Sequence, residues 1–262
     1  MRLSVLRVGD GPRGVVLLHG FLGSGRNLWS LARAWSQRDP SRTFLLPDLT
    51  GHGTSRRLPP GAGLETMARD VLDTAREEGL TSPWTLVGHS LGGRVALLAL
   101  DEAAEAIDRV VLLDISPAPI EWAGEENTQT AEAFTRVPAH FANRIEARAA
   151  LTAEGLPRPL IDWLLTNLIA QGEGFGWRVD RQALLDLRPT FNAVDLWAVL
   201  ERARGRVACI RGDLSPYVSD DAVRRMEALS CPVTTLAGAG HFLHVDQPQA
   251  LLDALQAAVQ GD

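Results

Sequence analysis

Short apolar runs alternate along the chain with longer segments in which apolar residues recur every three or four positions. Runs with few polar residues are typical of parallel strands that helices cover on both faces. The pattern predicts strands at 3–8, 15–18, 43–46, 84–87, 110–113, 207–210 and 233–236. It predicts helices at 27–38, 64–79, 91–106, 220–229 and 248–259. This alternation indicates an α/β fold with a mostly parallel, doubly wound sheet, which binds ligands at the carboxyl ends of its strands.

The alternation is interrupted between Pro117 and Asp195, where the pattern shows no convincing strand. Helical patterns in this segment are separated by prolines and by a glycine-rich stretch at 172–176. Aromatic residues gather in it: Trp122, Phe134, Phe141, Trp163, Phe175 and Trp177. We expect residues 117–195 to form a helical cap, inserted into a core of residues 1–116 and 196–262 and lying over the carboxyl end of the sheet. The alternative is a set of peripheral helices with its own small core.

Composition and charge are those of an ordinary globular protein. Of the 262 residues, 45% are hydrophobic and 22% charged, which allows one sizeable core carrying an insertion. The formal net charge of −6 gives no basic surface for nucleic acid or for an anionic membrane. No stretch reaches the roughly 20 apolar residues that cross a bilayer, and no secretory signal is evident. We expect a cytoplasmic protein without nucleic-acid or membrane partners, and the sequence leaves its oligomeric state open.

Every basic residue is an arginine, since the chain contains no lysine. This excludes a Schiff base, a Ser-Lys dyad and a phosphate-loop lysine. Cys209 and Cys231 are too few for a disulfide framework or a four-thiolate zinc site; we expect buried thiols, with a pairing between them as the alternative. The glycine-rich loop at 20–25 lacks the ending of a phosphate-binding loop. His241 and His244 have no third ligand at a recognised spacing. We predict no metal site and no cofactor.

One pentapeptide, Gly88-His89-Ser90-Leu91-Gly92, follows a predicted strand and precedes a predicted helix. A Gly-x-Ser-x-Gly turn in this position is a nucleophile elbow, in which a strained backbone holds the serine hydroxyl above the sheet. The N–H of Leu91 begins the following helix, where a developing oxyanion would be stabilised. A second N–H is expected from Phe21, in the loop after the first apolar strand. We predict that Ser90 is a nucleophile.

A serine hydroxyl becomes nucleophilic when a neighbouring base accepts its proton. His241 follows the last predicted strand, which places it on the same rim as the elbow and makes it the predicted base. Two carboxylates are candidates for the acid that orients the imidazole. Asp114 ends the predicted strand 110–113, and Asp213 lies one residue after Gly212. We favour Asp114, because its position at the tip of a strand is fixed whereas Asp213 begins a loop.

Several motifs carry a resemblance to a known family: 17–20, 51–55, 87–93, 113–117, 164–168, 177–179, 215–218 and 240–241. On these motifs the chain resembles the α/β-hydrolases, and within them the small bacterial esterases of the YbfF type and their mitochondrial abhydrolase-domain relatives. The resemblance implies an α/β-hydrolase fold and hydrolysis of acyl esters or thioesters, with Asp114 as the acid. Asp213 departs from the pattern, in which a small uncharged residue is usual, so a second acid stays open.

Three functions are compatible with this reading. The first is a serine esterase or thioesterase that uses Ser90, His241 and Asp114 on a small acyl substrate and forms an acyl-enzyme. The second keeps the triad for carbon–carbon lyase or elimination chemistry, as in menaquinone-pathway relatives of the fold. The third is a binding protein for a small ligand, with a vestigial triad. The sequence favours the first and does not specify the acyl length or the leaving group.

Overall fold

The computed structural model describes residues 2–55, 57–59, 61–120, 132–179 and 181–259. The strands are β1 Val5–Val8, β2 Arg13–Leu18, β3 Arg42–Pro47, β4 Trp84–His89, β5 Ile107–Leu113, β6 His140–Phe141, β7 Leu168–Gln171, β8 Gly174–Trp177, β9 Val207–Gly212 and β10 Val233–Leu236. Within the described ranges, seven of them form one sheet in the order β1-β3-β2-β4-β5-β9-β10. Only β1 runs antiparallel to its neighbour in this sheet. The predicted mostly parallel sheet is confirmed.

Helices connect the strands and cover both faces of the sheet. They are α1 Trp29–Arg38, α2 Leu64–Glu77, α3 Leu91–Glu102, α4 Arg144–Ala153, α5 Arg158–Leu165, α6 Arg181–Ala193, α7 Trp197–Arg202, α8 Asp220–Ala228, α9 Leu243–Asp246 and α10 Pro248–Val259. Residues 132–136 are also helical, and a 3₁₀ turn at Gly25–Leu28 precedes α1. The strand-to-helix alternation read from the sequence is therefore the alternation of the fold.

Two apolar layers hold the sheet between them. Helices α2, α3, α7 and α8 pack on one face, and α1 and α10 pack on the other. Successive strand residues point to opposite faces, so Val110 and Leu112 join the first layer while Val111 and Leu113 join the second. All four side chains are buried. A strand buried on both faces has to be apolar throughout, which is why these strands appear as continuous hydrophobic runs.

The segment 117–195 has its own apolar cluster, which includes Phe134, Leu164 and Trp177. The prediction that this segment contains no strand is wrong, because β6, β8 and β7 form a three-stranded antiparallel sheet in that order. Sequence reading took the glycines of β8 as breaks, whereas the close approach of β6 requires Gly174. A Cβ on Gly174 would lie 2.5 Å from Phe141 O. The division into core and cap stays a prediction, and Trp122 lies outside the described residues.

Element ends differ from the sequence prediction by a few residues. The helix after the elbow ends at Glu102 instead of continuing to 106, since the chain there already turns toward β5. The two cysteines are both buried and free. Burial raises the pKa of Cys231 to about 12, so this thiol stays protonated at neutral pH. In the part of the chain that the structure describes, no helix is long and apolar enough to cross a bilayer.

Candidate active site

Ser90 lies at the turn between β4 and α3, in the backbone conformation that a nucleophile elbow requires. Its φ of 52° and ψ of −116° are uncommon for a residue with a side chain. The neighbouring glycines make the turn possible: a Cβ on Gly88 would lie 2.3 Å from the backbone of Gly92, and one on Gly92 would lie 2.4 Å from Leu18 O. The Ser90 N–H donates to Leu113 O at 3.0 Å, which ties the elbow to β5.

Asp114 directly follows β5 and is fully buried. Its Oδ2 lies 2.6 Å from His241 Nδ1, so the imidazole predicted as the base is held by the carboxylate that we favoured as the acid. Asp114 Oδ1 accepts a hydrogen bond from the Gly212 N–H at 3.0 Å. The hydroxyl of Ser215 donates to Oδ2 as well. These three donors satisfy the buried carboxylate oxygens and fix the side chain in place.

Asp213, the alternative acid, lies elsewhere on the same rim. Its side chain is exposed, and Oδ1 accepts a hydrogen bond from the Gly238 N–H at 2.7 Å. The bond braces the loop between β10 and His241. The structure therefore brings Asp114 to the imidazole and leaves Asp213 as a support of the neighbouring loop.

His241 is fixed by two further contacts. The Tyr217 ring stacks on the imidazole with centroids 3.7 Å apart and planes 15° from parallel. His89 Nε2 donates to the main-chain carbonyl of His241 at 2.8 Å. Among the described residues, no hydrogen bond joins the imidazole to Ser90. The two side chains line one cavity of about 350 Å³, and in unliganded sites such a bond often forms only with substrate present.

The loop that carries Phe21 is held by the segment 117–195. Trp163 Nε1 donates to Phe21 O at 3.2 Å, and Asn167 Nδ2 donates to Leu22 O. Leu22 has a φ of 56°, a left-handed conformation that these contacts help to maintain. In the described part of the chain, the N–H groups of Phe21 and Leu91 donate to no acceptor. Both residues line the cavity beside Ser90.

Four residues of this arrangement were not singled out as functional by sequence reasoning: Trp163, Asn167, Ser215 and Tyr217. Each acts through a contact between segments that are far apart in the chain, which periodicity does not report. A signal did exist for Ser215, because it lies three residues after Gly212, where an acid is usual in such folds. The Ser215 hydroxyl donates to Asp114, the carboxylate that contacts His241 in this chain.

Comparison with known proteins supports the same fold and chemistry. The profile of the Alpha/beta hydrolase family matches residues 15–254. The chain belongs to the α/β-hydrolases. It is 33% identical to the sn-1-specific diacylglycerol lipase ABHD11 of Mus musculus over 92% of this chain and 79% of that protein. It is 29% identical to Esterase YbfF of Escherichia coli strain K12, over 92% of this chain and 91% of that protein.

A solved structure of similar shape is that of a marine microorganism esterase. It superimposes with a TM-score of 0.85 and 21% identity, over 98% of this chain and 99% of that one. These matches confirm the fold class and the family resemblance, and they confirm the prediction that this α/β-hydrolase is an enzyme of the hydrolase class.

Burial favours the neutral form of four other histidines of this α/β-hydrolase, whereas His140 is exposed. His19 Nδ1 donates to Gly20 O at 2.8 Å, and its Nε2 accepts from Leu49 N–H. Burial lowers the pKa of His52 to about 3 and that of His244 to about 4. It also lowers the pKa of His89 well below the usual value. Within the described ranges, no group of three or more His, Cys, Asp or Glu could hold a metal ion.

We predict that the buried histidines make folding stability fall in mild acid. An unfolded histidine titrates near pH 6.5, roughly, whereas His52 and His244 stay neutral in the folded chain to much lower pH. Below about pH 6.5 the unfolded chain binds protons that the folded chain does not. The free energy of unfolding then falls by about 1.4 kcal/mol per pH unit for each histidine. Urea unfolding at about pH 7 and about pH 5 measures the loss.

The variant His52→Gln is expected to reduce the stability lost between these two pH values by about 2 kcal/mol. The exposed His140 provides a matched control, since His140→Gln removes an imidazole without a buried environment. An unchanged pH dependence in His52→Gln would contradict the prediction.

Proposed function

We propose that this α/β-hydrolase cleaves carboxylic esters or thioesters of acyl chains, with Ser90 as nucleophile, His241 as base and Asp114 as the acid that orients it. The observation that carries the proposal is the 2.6 Å contact between His241 Nδ1 and Asp114 Oδ2, made by an imidazole that shares a cavity with the serine of a strained elbow. Relatives named as esterases and as a lipase support the substrate class.

The first half of the reaction forms an acyl-enzyme. With Nδ1–H held by Asp114, the neutral imidazole presents Nε2 as an acceptor, so it removes the proton of Ser90 as Oγ attacks the acyl carbon. The carbonyl oxygen becomes an oxyanion, which the N–H groups of Phe21 and Leu91 would stabilise. His241 then returns its proton to the leaving alcohol or thiol as the bond to the acyl carbon breaks.

The second half releases the acid. A water molecule gives a proton to His241 Nε2 while its oxygen attacks the acyl carbon, and the same two N–H groups would receive the second oxyanion. The bond to Ser90 breaks, and Oγ recovers its proton from the imidazolium. Asp114 holds Nδ1–H throughout and stabilises the positive imidazole, while the donors Gly212 and Ser215 keep the carboxylate in place.

The segment 117–195 contributes to this proposal by covering the site. Pro157, Leu160 and Trp163 of that segment line the same cavity as Ser90 and His241. An apolar cover excludes bulk water, which strengthens the electrostatic interactions of the oxyanion. We assign the exclusion of water to this segment as a cap. Trp163 contributes to it and also donates to the Phe21 carbonyl.

We predict that a fluorophosphonate probe labels Ser90 and that Ser90→Ala loses both labelling and turnover of p-nitrophenyl butyrate. The loss of kcat is expected to be at least about 10³-fold, the scale seen when a triad member is removed. Ser36→Ala, which removes a hydroxyl from α1 outside the cavity, is the control and is expected to retain both properties. Labelling of the Ser90→Ala protein would refute the assignment. Labelling of Ser90 without turnover of any ester would instead favour lyase chemistry.

A second prediction separates the two candidate acids. Asp114→Asn is expected to lower kcat by about 10⁴-fold, because an amide at this position favours the wrong tautomer of the imidazole. Asp213→Asn is expected to change kcat less than about threefold, since an amide oxygen can still accept from Gly238 N–H. Circular dichroism checks that both variants fold. The opposite ranking of the two variants would show that Asp213 is the acid.

A third prediction concerns the loop that carries Phe21. Asn167→Leu removes the donor to Leu22 O while preserving most of the volume, so the Phe21 N–H is expected to move from its place. We expect kcat to fall by about tenfold to a hundredfold with KM nearly unchanged, because the loss affects only the oxyanion. The adjacent Thr166→Val is the control, with kcat expected within about threefold of wild type. A change confined to KM, or none, would contradict this role.

A further inference from the structure

Two arginines, Arg94 and Arg188, line the cavity that contains Ser90. Much of the remaining wall is apolar, and none of the described residues that line the cavity is acidic. Neutral acyl chains do not require guanidinium groups in such a place. Burying a cation costs free energy that a hydrophobic wall would not. The arrangement therefore needs an explanation in terms of structure or of substrate.

Arg94 lies one turn into α3 after Ser90, and only 1% of its surface is exposed. Nη1 donates to Ala118 O at 2.8 Å, and Nη2 donates to Val194 O. The Nε–H is buried and, among the described residues, has no acceptor. Burial lowers the pKa of Arg94 to about 10 and Asp195 acts in the opposite direction, so the side chain keeps its charge at neutral pH. The result is a fixed cation beside the nucleophile.

Arg188 approaches the same cavity from α6. Its Cζ lies 5.9 Å from the centroid of the Phe21 ring, and it interacts electrostatically with Tyr217. Phe21 carries one of the two N–H groups assigned to the oxyanion, and Tyr217 stacks on His241. Burial lowers the pKa of Arg188, which shows that its charge lies partly out of water. The second cation thus lies next to the reacting groups.

We propose that the substrate of this α/β-hydrolase carries a carboxylate, which Arg94 and Arg188 recognise within the cavity. In a site shielded from water, a carboxylate near two guanidinium groups gains more electrostatic free energy than it would in solution. A neutral chain of the same length does not gain this interaction. The inference rests on the proposed function and specifies its substrate class as an ester or thioester with a negative charge.

Arg94 also has a structural role, which the test has to separate from recognition. Its two carbonyl acceptors belong to the points where the chain leaves and re-enters the core, and these points pair through Leu196 N–H and Pro117 O at 2.9 Å. An arginine that acts only as such a tie would influence charged and neutral substrates equally. An arginine that recognises a carboxylate changes the ratio of kcat/KM for the charged substrate to that for the neutral one.

The experiment compares p-nitrophenyl hydrogen adipate with p-nitrophenyl methyl adipate. The two esters share their acyl chain and leaving group and differ in one negative charge, and the chain is too long for ready cyclisation to an anhydride. We expect kcat/KM of wild type to be at least about tenfold higher for the charged ester. A second pair, 4-acetoxybenzoate and its methyl ester, tests a carboxylate on the leaving side. Absence of a preference for the charged ester in both pairs would overturn the inference.

Variants then assign the preference. Arg188→Met is expected to reduce the ratio of charged to neutral kcat/KM at least about tenfold, and Arg188→Lys is expected to retain part of it. Arg94→Lys keeps a charge but not the planar donor set, and a partial fall of the ratio is expected. Arg202→Met, which removes an exposed arginine paired with Asp101, is the control and should leave the ratio unchanged. A ratio that survives Arg188→Met intact would contradict the role of this residue.

Failure of this inference is distinguishable from failure of the proposed function. Hydrolysis at equal efficiency of the charged and neutral esters in both pairs, lost in Ser90→Ala, would leave the esterase standing and refute the carboxylate preference. Absence of hydrolysis of every ester tested, with Ser90 unlabelled by fluorophosphonate, would refute the esterase and the substrate class with it.

Discussion

The buried carboxylate of Asp114 connects three of the loops that form the rim of the sheet. It follows β5 directly, receives hydrogen bonds from Gly212 at the end of β9 and from Ser215 after it, and contacts His241 after β10. The sheet order places β5, β9 and β10 side by side, so one side chain serves three neighbouring loops. Without these donors, no hydrogen bonds would offset the free-energy cost of removing the carboxylate from water. The imidazole owes its orientation to this network.

The elbow depends on the same strand. The N–H of Ser90 donates to Leu113 O, one residue before Asp114, so the proposed nucleophile and the proposed acid are positioned by adjacent residues at the end of β5. Both residues adopt a positive φ, at 52° in each case. Such conformations persist only where the surroundings hold them, and here two parallel strands and the packing of Gly92 against Leu18 do so. Backbone strain in the site is therefore maintained by buried strands at the centre of the sheet.

The sheet, the elbow and the position of His241 were predictable because local sequence determines them. A strand buried on both faces must be apolar, and a turn as tight as Gly88–Gly92 must have glycines. The β7–β8 hairpin was not predictable in this way, since its glycines serve a close approach between strands and resemble breaks. Nor were the donors Trp163 and Asn167, whose roles depend on carbonyls about 140 residues away in the chain. Contacts of this kind come from tertiary packing, and a single sequence does not encode them in any pattern.

The central claim is that an acyl group passes through Ser90, activated by an imidazole that Asp114 orients. Rapid quenching of a reaction with a p-nitrophenyl ester, followed by mass spectrometry of the protein and its peptides, tests this most directly. The account predicts a mass increase equal to the acyl group, on Ser90, that forms and decays at the rate of turnover. Turnover with the acyl group on another residue, or on none, would contradict it.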